Sequence, residues 1–239
     1  MTILSVVQNA SLGIGVERPT VLFAQTTREA LELKGMVNDC ARMIAYDTNH
    51  DWTALKSIAT ITGDGASLSF AKPDDYERML KKGKLWPSAT PYWPFTHVAD
   101  TDDWLGTQVQ AAPGLLGAWT MIGDEIHVRE GGNLSPLSTG NVVSYYYLTK
   151  KFAKDAGGAP QDAFTADTDT FRLSERLLEL CLKYRWKQAK GQDYTEDMSD
   201  YENALFSQIG ADKGSVSIAV GRPRYPGGVS VAYPGRLGP

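Results

Sequence analysis

The side chains most able to do chemistry are sparse and scattered. Three histidines, His50, His97 and His127, stand in three different contexts, and neither a His-x-x-x-His nor a Cys-x-x-Cys spacing places two metal ligands on one face. Two D-x-D patterns occur, Asp100-Thr-Asp102-Asp103 and Asp167-Thr-Asp169. Paired carboxylates of this kind hold divalent cations in sugar transferases, but each pattern here precedes a helical stretch, where acidic side chains cap free backbone N–H groups. Helix capping is the reading adopted. Gly13-Ile-Gly15 and Gly63-Asp-Gly65 lack the third glycine, the buried parallel strand before it and the phosphate-facing helix after it. No P-loop and no G-x-S-x-G occurs, and none of the 28 acidic residues sits at a strand end beside a pocket motif. The chain is therefore not expected to be an enzyme, and neither a metal nor a cofactor is expected.

Two other groups of residues suit binding. Trp86, Tyr92, Trp93 and Phe95 crowd a proline-rich stretch, and aromatic faces of this kind stack on sugars, on exposed bases or on other proteins. A core for a loop-rich module, or a protein interface through Trp86, Trp93 and Phe95, is the favoured use; a carbohydrate platform is the alternative. The last 26 residues, 214–239, hold six glycines, four prolines, three arginines and no acid, so they cannot build a core. Val216-Ser-Ile218-Ala-Val220 and Val229-Ser-Val231 alternate as strands do, which predicts an extended arm that docks on a partner. Its anchors would be Arg222, Arg224, Tyr225, Val229, Val231, Tyr233 and Arg236.

The elements that must carry these groups are legible from periodicity. Leu173, Leu177, Leu180, Cys181 and Tyr184 form one helical stripe and Leu178, Leu182 and Trp186 a second, so a helix starting near Thr170 and running to Lys190 is apolar on two faces and buried on both. Asp167 or Asp169 would be its N-cap. After Gly191 a second helix opens at Asp193, with Glu196 as capping-box partner and Tyr194, Met198, Tyr201, Leu205 and Ile209 on one face. Arg172–Lys190 holds six basic and two acidic residues, whereas Asp193–Asp212 holds six acidic and none basic. Exposed ion pairs are worth only about 0–1 kcal/mol each, so this contrast bears on partner choice and orientation, within the chain or with a neighbour. Thr2–Leu12 reads as a short helix with Ile3, Val6, Val7 and Ala10 inward, stopped by Gly13 and Gly15. Thr26-Thr-Arg-Glu29 is a capping box for another, carrying Leu33, Met36, Val37, Cys40, Ile44 and Ala45 to about Tyr46. Cys40 and Cys181 read as small buried hydrophobes in a reducing compartment.

The fold class that follows is α+β: an antiparallel helix bundle from residues 1–52 and 163–213, a β-rich insertion at 53–162, and the extended arm at 214–239. In the insertion, Ile58–Phe70 predicts a hairpin around Gly63-Asp-Gly65, and Leu116–Ile122, Glu125–Arg129 and Asn141–Thr149 predict further antiparallel strands. A short helix is expected near Thr101–Gln110. A net charge of −4 and a pI near 5.4 do not describe a protein that wraps nucleic acid. The opening MTILSVVQNASLGIG lacks a basic leader and a cleavage site, and no run reaches the apolar length of a bilayer span, so the protein is expected to be neither secreted nor in a membrane.

Several of these segments carry a resemblance. Phe164-Thr-Ala-Asp-Thr-Asp169, Ser174-Glu-Arg-Leu-Leu178, Tyr184-Arg-Trp-Lys-Gln-Ala-Lys-Gly191, Asp193-Tyr-Thr-Glu-Asp197 and Tyr201-Glu202 resemble the head-to-tail adaptor (connector) proteins of tailed bacteriophages. The opening TILSVVQNASLGIGVERP and Lys72-Pro-Asp-Asp-Tyr-Glu-Arg78 are weaker echoes, so the resemblance covers about residues 1–80 and 140–212. It implies a structural virion protein of the neck between capsid and tail, assembled in the host cytoplasm as a dodecameric ring. Its partners would be the portal protein above, through the arm, neighbouring copies around the ring, and the next tail or stopper protein below, with DNA passing transiently through the lumen. A net negative charge suits a channel wall on which phosphates must not stick. The carbohydrate alternative would then be a glycan-binding module of a phage tail, using the Trp/Tyr cluster.

Overall fold

The computed structural model describes residues 1–88, 93–109, 117–131 and 135–212. The chain opens with helix α1 (Ile3–Ile14), whose N-cap Thr2 accepts a hydrogen bond from Ser5 N and whose C-cap Gly15 takes a left-handed φ of 70°. Ile3, Val6, Val7 and Ala10 face inward as their spacing predicts. Gly13 does not stop the helix. A Cβ at that position would lie 2.9 Å from Lys183 Cε, so the missing side chain lets a second helix approach.

Helix α2 (Arg28–Arg42) is capped by Thr27, one residue beyond the Thr26 of the predicted box, and passes into a π-helical turn at Met43–Asp47. The Ile44 carbonyl there accepts from Thr48 Oγ1 and Trp52 Nε1, side-chain donors that hold the wider turn in place. Helix α3 (Thr101–Val109) is the short helix of the middle region, and Asp100 caps it by accepting from the backbone N–H groups of Asp102 and Asp103.

Helix α4 (Glu175–Ala189) is the spine. It packs against α1, α2 and α5 (Thr195–Asp212), and buries Leu177, Leu178, Leu180, Cys181, Leu182, Tyr184 and Trp186, the two stripes read from periodicity. It begins five residues after the predicted Thr170, because Thr170–Phe171 is spent on a strand and Ser174 takes the N-cap position. Neither Asp167 nor Asp169 caps it. In α5, Tyr201 is buried against Tyr184, ring centroids 5.2 Å apart. The two cysteines are buried and free, and their mutual contact and burial raise the Cys40 thiol pKa well above the ordinary range, as inert core thiols require.

The β part contains two four-stranded sheets. One joins β1 (Lys56–Thr62), β8 (Val142–Thr149) and β3 (Tyr76–Met79), with β4 (Trp86–Pro87) also on β8. The other runs β2 (Ser69–Ala71), β7 (Glu125–Glu130), β6 (Gly117–Ile122), β5 (Thr96–His97), and its last pair is parallel. The inward residues of both, Ile61, Val143, Tyr145 and Tyr147 from the first and Trp119, Ile126 and Val128 from the second, form one cluster with Leu85, Phe95 and Leu137. A small third sheet sets β9 (Ala153–Lys154) between β10 (Pro160–Gln161) and β11 (Thr170–Phe171).

The predicted hairpin over Ile58–Phe70 is not formed: β1 pairs along its whole length with β8, and β2 pairs with β7 of the other sheet. Gly63 N donates to Asn141 O, and a Cβ on Gly63 would meet Ser138 O at 2.4 Å. Asp64 Oδ1 then accepts from Ala66 N and Ser67 N, an Asx turn that redirects the chain across the sandwich instead of back along β1. The β6–β7 hairpin around Gly123, with φ 58°, forms as predicted. With helices and largely antiparallel sheets segregated along the chain, the fold is α+β.

Candidate functional site

Among the described residues no three His, Cys, Asp or Glu side chains gather as a metal site. His97 stacks on Trp119, His127 lies edge-on to Trp104, and His50 bonds Asp212. No described helix is long and apolar enough to cross a membrane.

The resemblance motifs turn out to be the joints of the body. Asp167 Oδ1 accepts from Leu22 N at 3.0 Å and Phe23 N at 2.9 Å. The Asp169 carbonyl accepts from Ile3 N at 2.7 Å, supplying an acceptor to a first-turn donor of α1 that has none inside the helix. The Asp169 carboxylate accepts from Thr165 N and Ala166 N, so this D-x-D pattern organises a loop and clamps the N-terminus instead of capping α4. Lys72–Arg78 is a second joint. Asp75 accepts from Tyr147 Oη and Thr149 Oγ1, both at 2.7 Å; burial raises its carboxyl pKa, yet these two donors outweigh it and the net shift is downward. Burial and the same Asp75 carboxylate push the Tyr147 phenol up to about 12. Arg78 pairs with Asp51 at 2.7 Å and donates to His50 O, while Arg172 reaches Lys151 O and Ala54 O. Apart from the local Asp169 turn, these bonds join segments 21 or more residues apart, so their spacing in the sequence holds no sign of them.

Three surfaces remain for binding. The first is α5. Lys187–Asp197 is the one ion pair between α4 and α5 among the described residues. The other paired bases of α4 are used elsewhere: Arg176 and Lys183 on Glu179, Lys190 on Glu32 of α2. The predicted charge contrast thus closes little of the contact within the chain, and Glu196, Asp200 and Glu202 stand exposed without ion partners among the described residues. Phe206, on the same helix, is 82% exposed.

The second surface is the outer face of the first sheet. Ile58 sits directly opposite Tyr146, and both are more than half exposed. Trp86 pairs with Ser144, two residues from Tyr146 and so on the same face. A row of three large apolar side chains therefore faces outward, and only Trp86 was singled out by composition. Trp93 is 41% exposed. Phe95 is a correction to the predicted interface: it is buried in the sandwich, where the absence of a side chain at Gly117 makes room for its ring. Tyr92, and the arm residues Arg222, Arg224, Tyr225, Val229, Val231, Tyr233 and Arg236, lie outside the described residues.

The third feature is the end of α5. Asp212 accepts from His50 Nε2 at 2.8 Å and from Thr53 N and Oγ1. Asp212 thus lies against Thr53, beside the start of β1.

Among curated proteins none matches the chain. The family described as SU10 adaptor protein matches residues 1–230, which takes in the helical body, both sheets and most of the C-terminal segment. The chain belongs to the SU10 adaptor protein family, in keeping with the head-to-tail adaptors that its motifs resemble.

Proposed function

We propose that this adaptor is a structural, non-enzymatic component of the phage neck, a closed ring beneath the portal that joins it to the tail and leaves a channel for DNA. In this account residues 1–52 and 163–213 form the ring body, 53–162 an insertion, and 214–239 the arm that binds the portal through Arg222, Arg224, Tyr225, Val229, Val231, Tyr233 and Arg236. The observation that carries it, beside family membership, is α5: among the described residues the helix makes one ion pair with its own spine, its Glu196, Asp200 and Glu202 have no ion partner, and Phe206 is 82% exposed. A closed ring of identical copies needs two different complementary surfaces on each subunit. The acids of α5 provide one, and exposed bases of the helical core such as Arg42 and Arg185 belong to the other. The outward row Ile58, Tyr146 and Trp86, with Trp93, supplies contacts to the neighbouring copy or to the next tail or stopper protein. An arm that orders only on docking ties assembly to the presence of a portal, since only partner contacts offset its ordering entropy.

The test is binding of the purified full chain and of a truncation after Lys213 to the portal of the same phage, by sedimentation. The full chain co-sediments and the truncation, though folded, does not. Equal binding by both would remove the arm from the account.

A further inference from the structure

The face of the second sheet that looks away from the sandwich core carries a pocket that the assembly role does not use. Strand alternation puts His127 and Arg129 of β7 on this face, beneath α3, while Ile126 and Val128 point into the core. An open pocket of about 420 Å³ lies there, walled by Leu68, Trp104, Leu105 and Ile122, with Ser69, Thr101, His127 and Arg129 as its polar members. Its walls are largely apolar, and Leu68, Leu105 and Ile122 are 37%, 56% and 41% exposed around it.

Arg129 is the anomaly. It is only 9% exposed, its Nε has no hydrogen-bond partner, and no carboxylate pairs with it among the described residues. Burial pulls its pKa below the ordinary value, with no acid opposing the shift. The acid next in sequence, Glu130, is engaged elsewhere, accepting from Ser138 N and Asn141 Nδ2. Glu125 lies 3.9 Å from His127, not at Arg129. Among the described residues its cation–π partner is the Trp104 ring, 5.0 Å from the guanidinium carbon. A buried cation without an anion is costly, and a planar guanidinium is built to take a carboxylate on two parallel N–H groups.

We propose that this pocket receives a carboxylate carried on an aliphatic peptide, an Asp or Glu flanked by leucine-like residues of a protein partner, with Arg129 as its counter-ion. The exposed rim is what selects a peptide. Leu68, Leu105 and Ile122 extend beyond the pocket, so an occupant that fills it must also cover them. A sugar acid finds no platform, because Trp104 is 2% exposed, with Arg129 over its ring and His127 edge-on to it. A nucleic-acid phosphate would require exposed cations at the mouth, and among the described lining residues the exposed ones are Leu68, Leu105, Ile122 and Thr101, none of them a cation.

The test follows the Arg129 Nε–H signal by NMR in the full chain while acetyl-Ser-Leu-Glu-Leu-Ser-amide or its Gln counterpart is added. Arg129→Met assigns the signal. The Glu peptide shifts it saturably, and the Gln peptide binds at least about ten-fold more weakly, since a charge-assisted pair is replaced by a neutral one. Equal affinity for the two peptides, no shift with either, or a shift with glucuronate or inorganic phosphate but not with the Glu peptide would each overturn the assignment. If Arg129→Met does not fold, Arg129→Lys assigns the signal and the Glu-against-Gln comparison in the unaltered chain still decides.

Discussion

Asp212 closes α5 by accepting a 2.8 Å hydrogen bond from His50 Nε2, across 162 residues of sequence. Thr53 N and Oγ1 donate to the same carboxylate. Desolvation raises the Asp212 carboxyl pKa, but the bonds from His50 and Thr53 together outweigh it and the net shift is downward. A depressed folded pKa contributes stability that is complete above the ordinary carboxylate value and lost as pH falls through the folded one. Asp212→Ala should cost about 1–3 kcal/mol in urea unfolding near neutral pH. The wild type should converge on the variant as pH falls below the ordinary carboxylate range. A constant difference across that window would show that the carboxylate's charge is irrelevant to the latch.

Two glycines should respond oppositely to the same added methyl. Gly35, exposed within α2, meets nothing within 4 Å, so Gly35→Ala should stabilise by about 0.5–1 kcal/mol through helix propensity. Gly63→Ala brings Cβ to 2.4 Å from Ser138 O, a backbone atom that cannot swing away, and should cost at least about 2 kcal/mol. Thermal melts of the two variants check both signs.

The helices were legible because their signal is local. The two stripes of α4, the inward face of α1 and the α2 stripe are repeats within a few residues, and they are buried as read except for Leu173, which precedes α4, and Met36, both only partly buried. Strands β6, β7 and β8 and the β6–β7 turn were legible for the same reason, but the partners of β1 and β2 were not: Gly63-Asp64-Gly65 carries hairpin chemistry, and only the distant Asn141 and Ser138 decide that it serves as a crossing between sheets. The candidate surfaces divide in the same way. Trp86 and Trp93 announce themselves by composition, whereas the exposure of Tyr146 and Ile58 follows from register, and the burial of Phe95 from a gap at Gly117.

That contrast is testable within one stretch of aromatics. Phe95→Ala should destabilise by about 3–5 kcal/mol as a core cavity, while Trp86→Ala should cost about 1 kcal/mol or less. Phe206→Ser should leave the melting temperature unchanged within error, because its ring is 82% exposed, and yet weaken ring formation at the portal at least several-fold. Unfolding by the Phe206 variant, or wild-type assembly from it, would exclude it from the contact between copies.

The central claim is best met by cryo-electron microscopy of the purified chain mixed with the portal of its own phage. The account predicts a closed ring beneath the portal, α5 of each copy against the helical core of the next, and residues 214–239 laid on portal subunits. Folded protein that stays unassociated with the portal at concentrations well above those of the neck proteins in an infected cell would contradict it.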